Sequence, residues 1–469
     1  MRTLSCRSAG QRSKLATLPV AVALALASSP GHGVVDLPTA PLQSAAAIPS
    51  NILFLLDDSG SMQFEMMPED LITFYPNAKY LNELAWYYGQ AYASPNIVYL
   101  FPPPNDQYNG NNYWAAVPSF DDRSYHNFFR RSPANNNIFY DPTITYVPWV
   151  KYDGSSYGNA SPSAAYYNPA NTVAGTLNLT ARSTASFNFT YTGAQWITGS
   201  KGSLYLCSTN NCSQTYWPIT FYMYKGTGDR AQASSYVKYQ IQGATGYRTD
   251  LNGGTPTTVT SFNWGSVTRT VAEETQNFAN WFSYYRSRAH AAKAGASIAF
   301  AKLGTNYRVG FSTINTSSLG NVIPTSGTFD GTNRQNWFNA LLGTPFPPQG
   351  TPLKESLSRA GDYFSRTDDS GPYGPAPQLS CRRNFTILTT DGYYNEPAVP
   401  LSFGNEDNTA GSTITGPGSQ SYQYVPSRPY QDSYTGSLAD IAMYYWRRDL
   451  RTDLTNNIRT TSTNPSFWQ

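Results

Sequence analysis

The hydrophobic pattern first becomes regular at Asn51-Ile52-Leu53-Phe54-Leu55-Leu56, an apolar run without alternation. A short run with no polar face predicts a strand buried on both sides, as in a parallel sheet. From about Met62 to Val271 the chain breaks into short β-like pieces set among Tyr, Asn, Ser, Gly, Pro and Trp: Ile144 to Val150, Ala185 to Tyr191, Gly202 to Tyr224 and Tyr236 to Gln242. No repeat period joins them, so this stretch reads as an irregular, mostly-β insertion. Helical spacing then takes over. Phe278, Trp281, Phe282, Tyr285, Ala289, Ala292, Ala296, Ala299 and Leu303 recur every three or four residues, which predicts one long amphipathic helix ending at Gly304. Tyr307 to Ile314 predicts a strand and Asn333 to Leu342 a short helix. Thr351-Pro352-Leu353 predicts the start of another helix, with Pro in its first turn. Asn384 to Thr390 predicts a strand ending at Asp391-Gly392, and Ser437 to Leu454 a helix packed through Leu438, Ile441, Ala442, Tyr445 and Leu450. This order predicts an α/β sandwich around a mostly parallel sheet.

The beginning of the chain follows a different rule. Arg2, Arg7, Arg12 and Lys14 precede an apolar run from Leu15 to Ala27, with Ala25-Leu26-Ala27 as a small-residue cleavage site. That pattern predicts a secretory signal peptide over residues 1–27. The run's 13 residues fall short of the roughly 20 needed to span a bilayer. Removing the signal turns the formal +3 into 28 basic residues against 29 acidic, and no other segment reads as membrane-spanning. A near-neutral exported chain lacks the charge footprint of a nucleic-acid binder. With 15% aromatic and only 13% charged residues in its 469, it is also no disordered tail.

Cysteine and histidine narrow the chemistry further. Cys6 leaves with the signal. Cys207 and Cys212 flank a turn-like Ser-Thr-Asn-Asn, which predicts a disulfide-stapled hairpin in an oxidising compartment, the alternative being two unpaired thiols. Cys381 is then left over, as a buried free thiol or with a partner outside the chain. His32, His126 and His290 show no zinc-ligand spacing. Gly154-Ser155-Ser156-Tyr157-Gly158 matches G-x-S-x-G but lacks a following helix, so it reads as a loop.

Three segments remain, each where a parallel strand ends or a helix begins. Asp57, Ser59 and Ser61 follow the first strand at alternating positions, Thr351 opens a helix, and Asp391 ends the Asn384–Thr390 strand. Ligand crevices of open α/β sheets lie beyond such strand ends. Two carboxylates and three hydroxyls form a hard, all-oxygen set suited to Mg²⁺ or Mn²⁺, with Ca²⁺ an alternative. If the hydroxyls bind directly and the carboxylates act through water, the ion keeps charge for a partner's carboxylate. This is binding chemistry, with no activated nucleophile nearby, so the chain reads as a non-enzyme. Helix capping alone would account for Asp57, Ser59 and Ser61 but not for Thr351 and Asp391. Asp58 is expected to be solvated, Asp368-Asp369 a loop, and Glu406-Asp407-Asn408 a polar loop without EF-hand spacing.

Asp57-x-Ser59-x-Ser61, Thr351 and Asp391-Gly392 resemble the metal-ion-dependent adhesion site of von Willebrand factor A domains. A narrower resemblance lies in Asn277-Phe278-Ala279-Asn280-Trp281-Phe282-Ser283-Tyr284-Tyr285-Arg286-Ser287-Arg288, in Leu438 to Arg451, and in Cys381-Arg382-Arg383-Asn384-Phe385. These segments are similar to the PilY-type type IV pilus tip adhesins. The resemblance implies a von Willebrand factor A-like, doubly wound, mostly parallel sheet. Its parts would be a signal peptide (1–27), a linker (28–50), the first strand with the metal motif (51–61), the insertion (62–271) and the remainder of the domain (272–469). It makes Asp57, Ser59, Ser61, Thr351 and Asp391 the metal ligands. It implies export through the periplasm to the pilus tip, with minor pilins and a host or abiotic surface ligand as partners. Pilus biogenesis, attachment and twitching motility would be its functions, and no nucleic acid or integral membrane anchor is expected after signal cleavage. The family normally continues into a C-terminal β-propeller, and its sheet should gain a strand after Ser437–Leu454. No candidate strand occurs between Thr455 and Gln469, so the last strand or strands are expected to be missing, as in a fragment or an interrupted gene product. Two other readings use the same residues. One is an exported metal-dependent hydrolase, which lacks an evident general base. The other is a purely structural pilus assembly subunit.

Overall fold

Strand β1 (Ser50–Leu56) lies at the centre of a three-stranded parallel sheet, between β2 (Tyr307–Thr313) and β3 (Asn384–Thr389). The computed structural model describes residues 48–68, 86–87, 96–102, 115–118, 120–122, 124–188, 196–199, 202–205, 211–395, 402–460 and 466–468. The predicted signal and most of the linker fall outside them.

The unbroken apolar run of β1 is explained by what lies on its two sides. Ile52, Phe54 and Leu56 enter one core, while Leu53 and Leu55 enter another. Helices α3 (Arg288–Ala301) and α4 (Gly331–Gly343) close the first face. There the Phe54 ring meets Phe300 at 5.2 Å and Trp337 at 5.7 Å. Helix α5 (Leu353–Phe364) closes the second with Ala360, Tyr363 and Phe364. Burying each such large side chain contributes roughly 1.5–3 kcal/mol, which is why the strand carries no polar face. Among the described residues β3 is an edge of the sheet, with Phe385 and Ile387 40% and 41% exposed.

The stretch before α2 (Val271–Tyr284) folds into several small sheets. The largest is an antiparallel four-stranded sheet of Thr220–Tyr224, Tyr236–Gln242, Thr245–Asp250 and Thr257–Val259. A short helix, α1 (Tyr125–Arg130), packs its Phe128 against Tyr222 and Tyr236 of that sheet. Ile144 to Val150 does not form the predicted strand. Its backbone is instead hydrogen-bonded by side chains. Asn277 Nδ2 donates to the Ile144 carbonyl, Asn277 Oδ1 accepts from Tyr146 N–H, and Asn280 Nδ2 donates to the Tyr146 carbonyl, all at 2.8–3.0 Å. Groups engaged in this way are not available to a strand ladder.

The predicted long helix is two helices. Ser287 caps α3, its hydroxyl accepting from His290 N–H at 3.3 Å, and Arg286 turns inward at the break. Hydrophobic spacing carries across a break of three residues, so periodicity alone did not show it. The last predicted helix, α6 (Leu438–Trp446), starts at its Ser437–Asp440 capping box but stops before Leu454. Arg447 leaves the helix to pair with Glu406 and to donate to the Ala410 carbonyl. A Cβ on Gly361 of α5 would sit 2.2 Å from the Tyr445 ring, so only glycine admits α6 this close.

The predicted cysteine hairpin is also rearranged. Gly202–Tyr205 pairs with Trp196–Gly199, and Asn211–Tyr216 pairs with Ser183–Asn188, so the segments flanking the cysteines do not pair with each other. Cys207 itself lies outside the described residues, and its disulfide with Cys212 stays an expectation. Cys381 is disulfide-bonded within the chain, which corrects both of its readings, a free thiol and a thiol with its partner outside the chain.

Lys293 on α3 is 2% exposed and donates to the Leu342 and Thr344 carbonyls at 2.8 and 2.9 Å, with Trp149 and Phe346 beside its ammonium. Burial pushes its pKa down to about 7. Unfolded lysine stays protonated to about pH 10.4. Between those values the unfolded chain binds the extra proton, so stability should rise with pH, by up to ~1.4 kcal/mol per unit. Urea denaturation at two pH values in that window should show the rise, and Lys293→Met should flatten it.

Candidate metal-binding site

The loop after β1 and the loop after β3 leave the sheet side by side, at the carboxyl ends of adjacent parallel strands. Asp57 N–H donates to the Thr389 carbonyl at 2.8 Å, extending the ladder by one residue. The Asp57 carboxylate then turns back on its own loop, with Oδ1 accepting from Ser59 N–H at 2.8 Å and Oδ2 from the Thr390 hydroxyl at 2.7 Å. Asp57 and Ser59 are fully buried. Burial raises the Asp57 carboxyl above its ordinary pKa, and the nearby Asp391 charge adds to this, against the hydrogen bonds from Ser59 and Thr390.

The Ser59 and Ser61 hydroxyls are hydrogen-bonded to each other, their oxygens 3.0 Å apart. In an octahedral Mg²⁺ site with bonds of about 2.0–2.1 Å, adjacent ligand oxygens are about 2.8–3.0 Å apart. The two hydroxyls therefore have the spacing of neighbouring ligands on one small, hard cation. Gly60 N–H donates to the Gln349 carbonyl at 3.0 Å, which draws the segment leading to Thr351 against this loop. Thr351 is buried just ahead of α5, and its backbone exchanges two hydrogen bonds with Asn395, at 3.0 and 3.1 Å. Asn395 in turn follows Asp391 by four residues, so the third and first segments are tied through the second. Asp391 is not open to solvent: its side chain is 4% exposed and accepts from Arg288 Nη1 at 2.6 Å. An all-oxygen set of Asp57, Ser59, Ser61, Thr351 and Asp391 is chemically fit for Mg²⁺ or Mn²⁺.

Two neighbours were missed from the sequence. Arg288 stood within a recognised segment, but nothing in its spacing pointed to Asp391 across 103 positions. Thr390 immediately precedes Asp391, and its hydroxyl role depends on the strand pairing. Asp58, expected to be solvated, is 7% exposed and accepts from Asn315 Nδ2 at 2.9 Å and Gln349 Nε2 at 3.1 Å. His126 and His290 are both buried, and His290 stacks on Trp149 at 5.5 Å. Around the G-x-S-x-G match, Ser155 N–H donates to Asp153 and Gly158 N–H to the Ser156 hydroxyl, in an exposed loop. Asp368 accepts from Ser370, and Glu406 pairs with Arg447. Among the described residues, no helix is long and apolar enough to cross a membrane.

No family model matches the chain, and no solved structure matches it. Curated proteins do. The type IV pilus biogenesis factor PilY1 of Pseudomonas aeruginosa strain PAK is 28% identical over 96% of this chain, and that of strain PAO1 is 27% identical over the same share. The protein of the same name from strain UCBPP-PA14 is 36% identical over 39% of the chain and 16% of its own length. The chain spans 32% of the length of the first two relatives. Along nearly all of its length, then, this chain is similar to the PilY1 proteins.

Proposed function

We propose that this chain is an exported type IV pilus biogenesis factor that binds a partner through a divalent cation held by Asp57, Ser59, Ser61, Thr351 and Asp391. The pilus assignment rests on the similarity to PilY1 proteins over 96% of the chain. The binding mode rests on one observation, the pair of hydroxyls 3.0 Å apart beside Asp57 at the mouth of a parallel sheet. With helices on both faces and these loops at its carboxyl end, the sheet is taken to be von Willebrand factor A-like. In this reading the hydroxyls ligate the ion directly, the two carboxylates act through water, and the remaining position takes a carboxylate from a minor pilin or a surface ligand. Attachment and twitching motility would follow from that contact at the pilus tip.

Calorimetric titration of the purified chain with Mn²⁺ or Mg²⁺ tests the site. Asp57→Ala and Ser59→Ala should each weaken binding by about 10–100-fold, the range seen when groups that orient a metal site are removed. Equal binding by both variants would remove these residues from any metal site. A chain that binds the ion while chelation changes only its melting temperature, and not attachment of piliated cells, would favour a purely structural role.

A further inference from the structure

We propose that Arg288 is the resident counter-cation of this site, and that its charge sets how tightly a divalent ion binds there; the proposal rests on the metal-site reading above. Thr390, whose hydroxyl bonds the Asp57 carboxylate, directly precedes Asp391, so two buried carboxylates stand together at this end of the sheet. Two buried like charges need compensation when no ion is bound. Asp57 receives neutral donors, Ser59 N–H and the Thr390 hydroxyl. Asp391 receives a guanidinium, at 2.6 Å.

That guanidinium is held in place from several directions. Arg288 is the first residue of α3, directly after the Ser287 cap, and its backbone N–H donates to the Phe64 carbonyl at 3.0 Å. Its Nε donates to the Met66 carbonyl at 2.9 Å, and the Phe64 ring lies 5.3 Å from the centre of the charge. Both side chains of the Arg288–Asp391 pair are 4% exposed. A buried pair in a water-poor setting cannot dissolve into solvent when an ion arrives. An entering cation therefore meets a fixed positive charge already bonded to one of its carboxylates. Repulsion of this kind weakens binding and leaves occupancy sensitive to ion concentration, and a partner carboxylate would relieve it by adding a negative charge.

The test is Mn²⁺ calorimetry on the full chain, with thermal unfolding in chelator to confirm that each variant is folded. Arg288→Gln should bind Mn²⁺ about tenfold more tightly than the unchanged chain, because the opposing charge is gone. Arg288→Lys keeps the charge without the planar fork and should tighten binding less than Arg288→Gln does. Equal or weaker binding by Arg288→Gln would overturn the proposal, and so would a Lys variant that tightens as much as the Gln variant. If the unchanged chain binds Mn²⁺ and Asp57→Ala abolishes it while Arg288→Gln has no effect, only the role of Arg288 falls. If neither the unchanged chain nor Arg288→Gln binds, the metal site itself falls.

Discussion

Replacing Arg286 by Met should cost about 3–5 kcal/mol of stability, because it leaves the Glu65 carboxylate buried without its cation. Arg286 is 0% exposed, and its Nε donates to Glu65 Oε1 at 2.6 Å. The other carboxylate oxygen accepts from Leu100 N–H at 2.6 Å and more weakly from Phe101 N–H at 3.3 Å. Arg286 also donates to the Tyr167 carbonyl at 3.0 Å and to the Phe282 carbonyl. One guanidinium thus joins the loop beyond the metal motif, the break between α2 and α3, and two stretches of the insertion. Burial already raises the Glu65 carboxyl above its ordinary pKa, even with Arg286 beside it. Without the arginine the folded state would hold that proton more firmly than the unfolded chain does. The deficit against the unchanged protein should then be larger at about pH 8 than at about pH 5. Urea denaturation at both pH values measures this. Adding Glu65→Gln should restore part of the loss by removing the stranded charge, and a single-variant loss under ~1 kcal/mol would show the pair to be dispensable.

Trp281→Ala should be comparably damaging, at about 3–5 kcal/mol, through the cavity it opens. The indole is fully buried, with Phe139 and Phe278 at 5.0 Å, Tyr140 at 5.9 Å and Phe101 at 6.2 Å, and its Nε1 donates to the Ile138 carbonyl at 2.9 Å. These neighbours come from three separate stretches of chain, so a void here loosens the insertion from α2 and does not merely thin one helix. Trp281→Phe should recover much of the loss while still leaving the Ile138 carbonyl without this donor. Val173, 93% exposed, provides the comparison: Val173→Ala should stay within about 0.5 kcal/mol. Equal melting temperatures for the Trp281 and Val173 variants would refute this account of how the insertion is anchored.

Much of the sheet could be read from local pattern, because burial on two faces removes polar residues from β1 wherever they would fall. The strands at Tyr307 and Asn384 and the helices beginning near Gly331 and Leu353 were legible from their own apolar spacing and the turn residues that flank them. What failed was anything whose hydrogen bonds come from far along the chain. Ile144 to Val150 has strand-like composition, but Asn277 and Asn280, more than 130 positions away, take its backbone groups. The α2–α3 break hides within a continuous apolar stripe, because Arg286 is drawn inward by Glu65 across 221 positions.

The candidate site divides along the same line. The D-x-S-x-S spacing, the position of Thr351 ahead of a helix and the strand-terminal Asp391 are local features, and local sequence sufficed to single them out. That Asp391 faces Arg288, that Thr390 bonds Asp57, and that Asp58 is buried against Asn315 and Gln349 depended on how α3 and three loops meet at the sheet's end. Hydrophobic periodicity records whether a residue is buried, because that depends on its own side chain. It carries no record of which distant partner compensates a buried charge, because that depends on the closure of loops over a hundred residues and more. The sequence by itself determined the parallel sheet's central strand and the oxygen-rich loops at its end, and only the tertiary structure decided which cation already stands among them.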